Sequence, residues 1–337
     1  MITTAMKRQS QNVLDDRLLA LLRNRAMHAW SSEELAERLD GSTASVRQAL
    51  RRLEEAGYTF ERTAGGAVRF GAPPDRLIPN EIRWHLRTRR FGVRIHALES
   101  TGSTMDAAHR LARAGAPEGT LVVAEVQTAG RGRAGRSWIS PRGQGIYASL
   151  VLRPRVVAAQ VAHLTLLTAV AVARTIEHAT KLEPAIRWPN DLLIDGRKVG
   201  GMLTEAATDQ GSGRYVVVGI GLNVNGRRGD LPTVATSLAA ELGQPMDRLA
   251  LLRALLQTWE RWYDRWRAQG FDPVHRALTD RCLTLGREVR IRMRGAMRVG
   301  HALRLDEDGG LVVRWDTGQQ EVIHAGDVEL LQMAEDA

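Results

Sequence analysis

Residues 127–138 constrain the fold most, because three glycines and three arginines directly follow an apolar segment. The apolar segment is 121–124, and the residues after it are Gln127-Thr-Ala-Gly-Arg-Gly-Arg-Ala-Gly-Arg-Ser-Trp138. Glycine lets a backbone approach a ligand closely, and guanidinium groups bind carboxylate or phosphate through paired hydrogen bonds. The segment therefore predicts an anion-binding loop after a strand, with a solvated basic loop as the alternative.

The same loop contains the spacing of a dinucleotide-binding motif at Gly130, Gly132 and Gly135. That motif requires a helix to begin there and an acidic residue about 20 positions later. Pro141 follows soon, and the region about 20 positions on is basic rather than acidic. The pattern therefore disfavours a dinucleotide site.

A second motif is Arg187-Trp-Pro-Asn-Asp191, followed by Lys198 and the Gly200-Gly201 pair. Asp191 is a candidate Mg²⁺ ligand beside a triphosphate. Only three of the 47 basic residues are lysines. A lysine retained in so arginine-rich a chain suggests a compact point charge that meets charge developing on phosphorus, whereas a turn residue is the plainer interpretation.

Two further segments carry polar groups suited to a ligand. The segment 99–106 places Ser103 and Thr104 at a helix start, where they could bind a polar ligand head or simply cap the helix. The segment 218–225 is a buried strand that ends at asparagines, and Thr236 follows it.

The first 70 residues have the pattern of a winged helix-turn-helix. An apolar stripe at 14–22 predicts a helix, Ser31 and Glu34 form a capping box, and a third helix is predicted over 43–56. Alternating residues at 58–60 and 68–70 predict a hairpin. Pro73-Pro74 marks the end of this domain.

The third helix is the candidate recognition helix. Its predicted outward side chains are Arg47, Gln48, Arg51 and Arg52, which could contact bases and phosphates in DNA. Residues 1–70 hold 11 basic and 9 acidic residues, a net charge of only +2. A protein-contact module therefore remains the alternative for this domain.

The rest of the chain predicts a mixed α/β region and a small β-domain. Strands are expected at 146–152 and 216–220, and helices at 161–179 and 248–269. Short alternating strands over 286–331 are typical of an SH3-like β-barrel. The predicted domains are a winged helix over 1–72, a linker over 73–92, an α/β domain over 93–280 and the barrel over 281–337.

Composition excludes some classes of protein. No run of about 18 apolar residues occurs, so no membrane span is expected, and the N-terminus lacks a signal-peptide pattern. A single cysteine, Cys282, cannot form an internal disulfide, which leads us to expect a cytoplasmic location. The net charge of +9 permits nucleic-acid or phosphate binding.

The four motifs, in this order, resemble those of the biotin–protein ligase family. With the N-terminal domain, the chain resembles the bifunctional ligases that also repress the biotin operon. The resemblance covers nearly the whole chain and is most specific at Gly130–Arg136 and Trp188–Asp191. It implies a catalytic domain of the class II synthetase-like type between the winged helix and the SH3-like barrel.

The resemblance also implies roles for individual residues. Ser103, Thr104, Met105 and Gln127 would bind biotin, with methionine at Met105 where the family usually has asparagine. Arg131, Gly132 and Arg133 would line the biotin carboxylate and the adenylate phosphate, and Trp138 would cover the pocket. Lys198, with Arg133, would be catalytic beside Gly201, whereas Asn223 and Thr236 would lie on the adenylate side. Arg187 replaces the lysine usual at that place.

The implied reaction uses ATP and Mg²⁺ to convert biotin to biotinyl-5′-AMP and then transfers biotin to a lysine of a biotin carboxyl carrier protein. Adenylate binding would favour a homodimer that binds operator DNA. Two alternatives remain, a lipoate-attaching enzyme, which would need a cysteine nucleophile, and a biotin sensor without catalysis.

Overall fold

A computed structural model describes residues 2–155, 157, 160–209, 213–293, 296–324 and 326–331. The chain divides into two compact units, one that ends at Arg76 and one that begins at Leu77. Within the described part of the chain, no helix combines the length and the apolar character needed to cross a membrane.

The first unit is a helix-turn-helix followed by a two-stranded hairpin, as the sequence predicts. Its elements are α1 (Ile2–Asn24), α2 (Ser32–Arg38), α3 (Thr43–Glu55), β1 (Phe60–Arg62) and β2 (Val68–Phe70).

Local hydrogen bonds and apolar burial explain these boundaries. The predicted capping box is confirmed, because Ser31 accepts a hydrogen bond from the backbone of Glu34 and donates its own N–H to the Glu34 carboxylate. Helix α3 buries the four apolar positions expected of it, which are Val46, Ala49, Leu50 and Leu53. The first hairpin strand begins two residues later than predicted, since Tyr58 still bonds the Leu53 carbonyl at the end of α3.

The second unit contains a seven-stranded mixed sheet. Its strands are β3 (Ile95–Leu98), β4 (Leu121–Ala124), β5 (Gly145–Leu152), β6 (Ala185–Arg187), β7 (Asp191–Ile194), β8 (Arg197–Asp209) and β9 (Gly213–Asn223). The strand order is β3-β4-β5-β9-β8-β7-β6. Only the β3–β4 pair is parallel among these pairings.

Helices cover both faces of this sheet. They are α4 (Pro79–Arg83), α5 (Thr104–Arg113), α6 (Val161–Thr180), α7 (Leu238–Leu242), α8 (Arg248–Gln269) and α9 (Asp272–Thr279). Because side chains alternate along a strand, Val122 packs against α5 while Leu121 and Val123 join the core formed with α6 and α8. This two-sided burial explains why the segment 121–124 is continuously apolar.

The C-terminal strands form one antiparallel sheet. They are β10 (Glu288–Met293), β11 (Ala296–Leu305), β12 (Leu311–Trp315), β13 (Gln320–Ile323) and β14 (Asp327–Leu330). The order is β13-β12-β11-β10-β14, so the short alternating strands predicted for this region are confirmed. Val289, Ile291 and Ala302 belong to the same apolar core as α6 and α8. The C-terminal sheet is therefore packed into the second unit.

Candidate active site

One cavity in the second unit collects most of the predicted site residues. It encloses about 660 Å³ of empty space, including its open mouth. The predicted residues that line it are Ser103, Thr104, Met105, Gln127, Arg131, Gly132, Arg133, Trp138, Lys198 and Gly201. Three segments that are distant in the sequence therefore meet at one place.

One end of the cavity is a network of uncharged polar groups. The Gln127 Oε1 atom accepts hydrogen bonds from the backbone N–H of Thr104 at 2.9 Å and from its hydroxyl at 3.1 Å. The Gln127 amide nitrogen donates to Ser140, and Ser149 donates to the Thr104 hydroxyl at 2.8 Å. Ser103 caps α5 by accepting from Met105 N. These bonds fix the orientation of polar groups around a ligand head.

Two glycines of β9 make room for the side chains that shape the cavity. A Cβ atom at Gly219 would lie 2.6 Å from Met105 Sδ, and one at Gly221 would lie 2.4 Å from Trp138 Cε2. Both distances are shorter than a real carbon contact allows. The sequence analysis missed these two residues, although their alternation within an apolar strand signals a face that must stay free of side chains.

Gly221→Ala is therefore expected to displace the Trp138 ring and, for the biotin substrate that the sequence resemblance implies, to raise the KM by about tenfold or more, because small misplacements in a site are costly. Steady-state kinetics with varied biotin would measure the change. Gly229→Ala is the matched control, since a Cβ there meets nothing within 4 Å. An unchanged KM for Gly221→Ala would contradict this account of the cavity wall.

Arg131 and Arg133 are both held by fixed acceptors. Arg131 forms two hydrogen bonds with the Glu205 carboxylate, at 3.0 and 3.2 Å, and one with Asp106 at 2.8 Å. Arg133 donates to Asn190 Oδ1 at 3.0 Å. The arginine loop, residues 130–136, is thus anchored to α5, to β8 and to the turn before β7. Its guanidinium groups are pre-arranged at the cavity wall.

Lys198 adds a further cation to the lining of the cavity. Its Nζ atom lies 2.6 Å from Asp191 Oδ1 and 5.3 Å from the centroid of the Trp138 ring. A Cβ atom at Gly201 would lie 3.3 Å from both Lys198 Cε and Trp138 Cζ3, so this glycine permits the close approach. Burial raises the pKa of Asp191, but Lys198 and then Arg187 outweigh it and hold the pKa below its usual range.

Asp191 lies between two cations. Lys198 and Arg187 both contact this carboxylate at 2.6 Å. Arg187, which departs from the family pattern, therefore helps to fix the carboxylate. The assignment of Asp191 to Mg²⁺ stays a prediction, since one or two carboxylates together with substrate phosphates can hold this ion.

The C-terminal sheet fastens the Trp188–Asp191 turn. Trp188 Nε1 donates to the Gly309 carbonyl at 2.9 Å, and Trp188 N donates to the Thr284 hydroxyl at 3.0 Å. Trp188 is 2% exposed, so both bonds lie in the core. Asn190 of this turn holds Arg133. A shift of the C-terminal sheet would therefore move the Trp188–Asp191 turn and, through Asn190, the arginine loop.

Asn223 and Thr236 do not line the cavity. Asn223 donates to the Thr236 carbonyl at 3.0 Å, and Thr236 N donates to the Lys198 carbonyl at 2.9 Å. The two residues brace the backbone next to Lys198. Their assignment to the adenylate side stays a prediction.

Cys282 is remote from this chemistry. It lies in the core at 8% exposure and is absent from the cavity lining. Burial raises the pKa of its thiol, which keeps it protonated and a poor nucleophile. The geometry gives no support to the cysteine-dependent alternative.

In the first unit, α3 presents only part of the predicted set outward. Arg47, Gln48 and Arg51 are exposed. Arg52 differs from the expectation, because it forms a two-point ion pair with Asp15 of α1 at 2.6 and 2.9 Å. Arg52 therefore points toward α1 rather than outward. The residue pattern within α3 alone could not predict this, because the carboxylate partner lies on another helix.

Three family models match successive parts of the chain. Residues 16–67 match a model described as "HTH domain", residues 97–223 match "Biotin/lipoate A/B protein ligase family", and residues 284–331 match "Biotin protein ligase C terminal domain". The cavity residues before β9 fall within the second match.

Similar proteins share most of this length. The "Bifunctional ligase/repressor BirA" of Bacillus subtilis is 36% identical over 304 residues, which cover 89% of this chain and 93% of that protein. The "Biotin--[acetyl-CoA-carboxylase] ligase" of Mycobacterium tuberculosis is 34% identical, covering 75% and 97%. The biotin protein ligase from Aquifex aeolicus, solved with biotin and ATP, aligns with a TM-score of 0.62 at 29% identity, covering 72% and 100%.

Proposed function

The chain belongs to the bifunctional ligase/repressor family of biotin protein ligases, and we propose that it activates biotin with ATP and transfers it to a carrier lysine. The observation that carries the proposal is the single cavity that joins the Gln127 network to Arg131, Arg133 and Lys198. Uncharged polar groups at one end suit the biotin head, and cations at the other suit its carboxylate and a phosphate.

In the first step a biotin carboxylate oxygen bonds to the α-phosphorus of ATP. The bond from that phosphorus to the bridging oxygen breaks, and pyrophosphate leaves with the electron pair. The negative charge that develops on the phosphoryl oxygens meets Lys198 and the guanidinium groups of Arg131 and Arg133. Cations that are already in position stabilise such a transition state without reorganisation.

In the second step the nitrogen of a carrier lysine bonds to the acyl carbon of biotinyl-5′-AMP. The bond from that carbon to the phosphate oxygen breaks, AMP leaves with the electron pair, and the nitrogen releases two protons to water. Arg133 and Lys198 stabilise the leaving phosphate. The chemistry requires no covalent intermediate with the enzyme.

Mg²⁺ enters the proposal only as the ion that accompanies the ATP triphosphate, because substrate phosphates are common ligands for it. Asp191, which is buried beside Lys198 and Arg187, is the carboxylate that would help to hold this ion. We also propose a cytoplasmic location and a biotin carboxyl carrier protein as the acceptor.

The ligase proposal is tested by incubating the purified protein with ATP, Mg²⁺, labelled biotin and a biotin carrier domain. We expect label on one lysine of the carrier, and none on a carrier whose acceptor lysine is replaced by arginine. Biotin binding without adenylate or carrier labelling would instead favour a sensor that has lost catalysis.

We propose that the first unit binds operator DNA and represses biotin synthesis genes. The outward residues of α3 are Arg47, Gln48 and Arg51, which suit base edges and phosphates. Since one unit has a small net charge, a homodimer that doubles the contacts would supply the affinity. Biotinyl-5′-AMP would favour that dimer.

Arg51→Ala is expected to weaken operator binding by about tenfold, since it removes one direct contact to DNA. A gel shift with upstream DNA of the biotin genes, at moderate salt and with biotinyl-5′-AMP, measures the change. Salt must be held constant because phosphate contacts weaken as it rises. Arg25→Ala, which removes an exposed arginine after α1, is the control. Equal affinity of the Arg51 variant and the wild type would contradict the role of α3.

A further inference from the structure

A second cavity adjoins the candidate active site. It encloses about 710 Å³ of empty space including its mouth. Arg133, Met202 and Leu203 line both cavities, so the two share a wall. The chemistry proposed for the first cavity does not use the second. Its lining by Arg133 places it next to the residues proposed to meet the acyl phosphate.

The second cavity combines apolar and polar lining residues. Val161 and Leu166 of α6 and Pro189 of the Trp188–Asp191 turn supply apolar surface. Asp308, in the turn between β11 and β12, supplies a carboxylate. Such a lining suits an aliphatic chain that ends in a polar group.

The charges along the cavity have opposite signs at its two ends. Its charged or titratable lining residues are Arg133 at the shared wall and Asp308 and His324 on the C-terminal sheet. In the described residues, no lysine or arginine is within ion-pair distance of Asp308. Its neighbour is His163, whose Nε2 atom is 3.5 Å from the carboxylate.

The His163 ring does not neutralise Asp308. It is 3% exposed and stacks on Phe271 with the ring centroids 4.1 Å apart. Burial lowers the pKa of His163, and the smaller effect of Asp308 does not reverse this shift. At neutral pH the ring is therefore uncharged. The Asp308 carboxylate, 73% exposed at the cavity, is therefore not paired with a cation by this ring.

We propose that the second cavity admits the acceptor lysine of the carrier protein, with Asp308 receiving its ammonium group and the apolar walls holding its methylene chain. This inference rests on the proposed ligase function and assigns the entry path for its second substrate. Asp308 attracts the cationic amine, while Arg133 at the shared wall repels it. The amine is thereby driven to lose a proton to water before it reaches the acyl carbon.

Asp308→Asn tests the inference because only the second step involves lysine. We expect kcat/KM for the carrier to fall about three- to tenfold, the range of a solvated charge contact, and Asp308→Lys to lower it further. Biotin-dependent exchange of pyrophosphate into ATP should stay at the wild-type rate in both variants. Trapping of the adenylate by hydroxylamine, a small uncharged amine, should also be unchanged.

Glu307→Gln is the matched control, since this exposed neighbour carries the same charge and does not line the cavity. Wild-type transfer by Asp308→Asn, or an equal loss in Glu307→Gln, would overturn the inference. Loss of pyrophosphate exchange in Asp308→Asn would also overturn it, by placing Asp308 in the first step. Absence of exchange in the wild-type protein would instead overturn the proposed ligase function.

Discussion

Lys198→Ala is expected to lower the rate of biotinyl-5′-AMP formation by about 10²- to 10³-fold, the usual effect of removing one preorganised charge from a transition state. Lys198 lines the same cavity as the arginine loop and is held by Asp191 at 2.6 Å. The substitution removes the cation and also leaves Asp191 with Arg187 as its remaining ion-pair partner at this site. A carboxylate then faces the incoming phosphate. Single-turnover mixing followed by chromatography of the adenylate measures the rate.

Lys181→Ala is the control for this experiment, because it removes another of the three lysines from an exposed position at the end of α6. It should leave the rate unchanged. Lys198→Arg should remain slow, since a planar guanidinium does not replace a compact ammonium beside the Trp138 ring. Adenylate formation by Lys198→Ala within a fewfold of wild type would remove Lys198 from the chemistry.

Gly309→Ala is expected to destabilise the second unit by about 2–4 kcal/mol, from overpacking together with a left-handed backbone. The residue has φ +79°, and a Cβ atom there would lie 2.5 Å from Leu166 Cδ1 and 2.9 Å from Phe271 Cζ. Both neighbours are buried. Because the Gly309 carbonyl accepts from Trp188, any residual folded protein should also form the adenylate more slowly. Thermal or urea unfolding measures the loss.

Gly318→Ala separates the two causes, since Gly318 has φ +83° in the next turn and a Cβ there meets nothing within 4 Å. It should lose only the backbone part, about 1–2 kcal/mol, and keep normal adenylate formation. Equal destabilisation by the two variants would show that the contact with Leu166 and Phe271 contributes nothing.

The sequence predicted the long elements well because their apolar patterns are regular. Helix α8 (Arg248–Gln269) and helix α6 (Val161–Thr180) agree with prediction to within one residue. Both bury continuous sets of apolar side chains against the sheet. The first strand of the hairpin begins later than predicted because hydrogen bonds at the end of α3, including the one from Tyr58 N to the Leu53 carbonyl, extend the turn, and such bonds leave no periodic signal.

The motifs predicted most members of the cavity but not how they are held. Local sequence identified Arg131, Arg133 and Lys198, whereas Glu205 and Asn190 became their partners only through the pairing of distant strands. The alternation of Gly219 and Gly221 is present in the sequence. The reason for it appears only in the structure, where Met105 packs over Gly219 and Trp138 packs over Gly221.

Two charge assignments needed the tertiary structure. Asp191 was singled out by its motif alone, and the pairing of β7 with β8 brings Lys198 against it. Arg52 looked solvent-facing on α3, but α1 supplies Asp15. The partner of Asp191 comes from the neighbouring strand and the partner of Arg52 comes from another helix, and spacing along one element carries no record of either partner.

The account depends on Arg131, Arg133, Lys198 and the Gln127 network acting together on one acyl phosphate. The most direct measurement is exchange of labelled pyrophosphate into ATP by the purified wild-type protein, with and without biotin. We predict exchange that requires biotin and needs no carrier protein. Exchange that is absent, or that proceeds equally well without biotin, would contradict it.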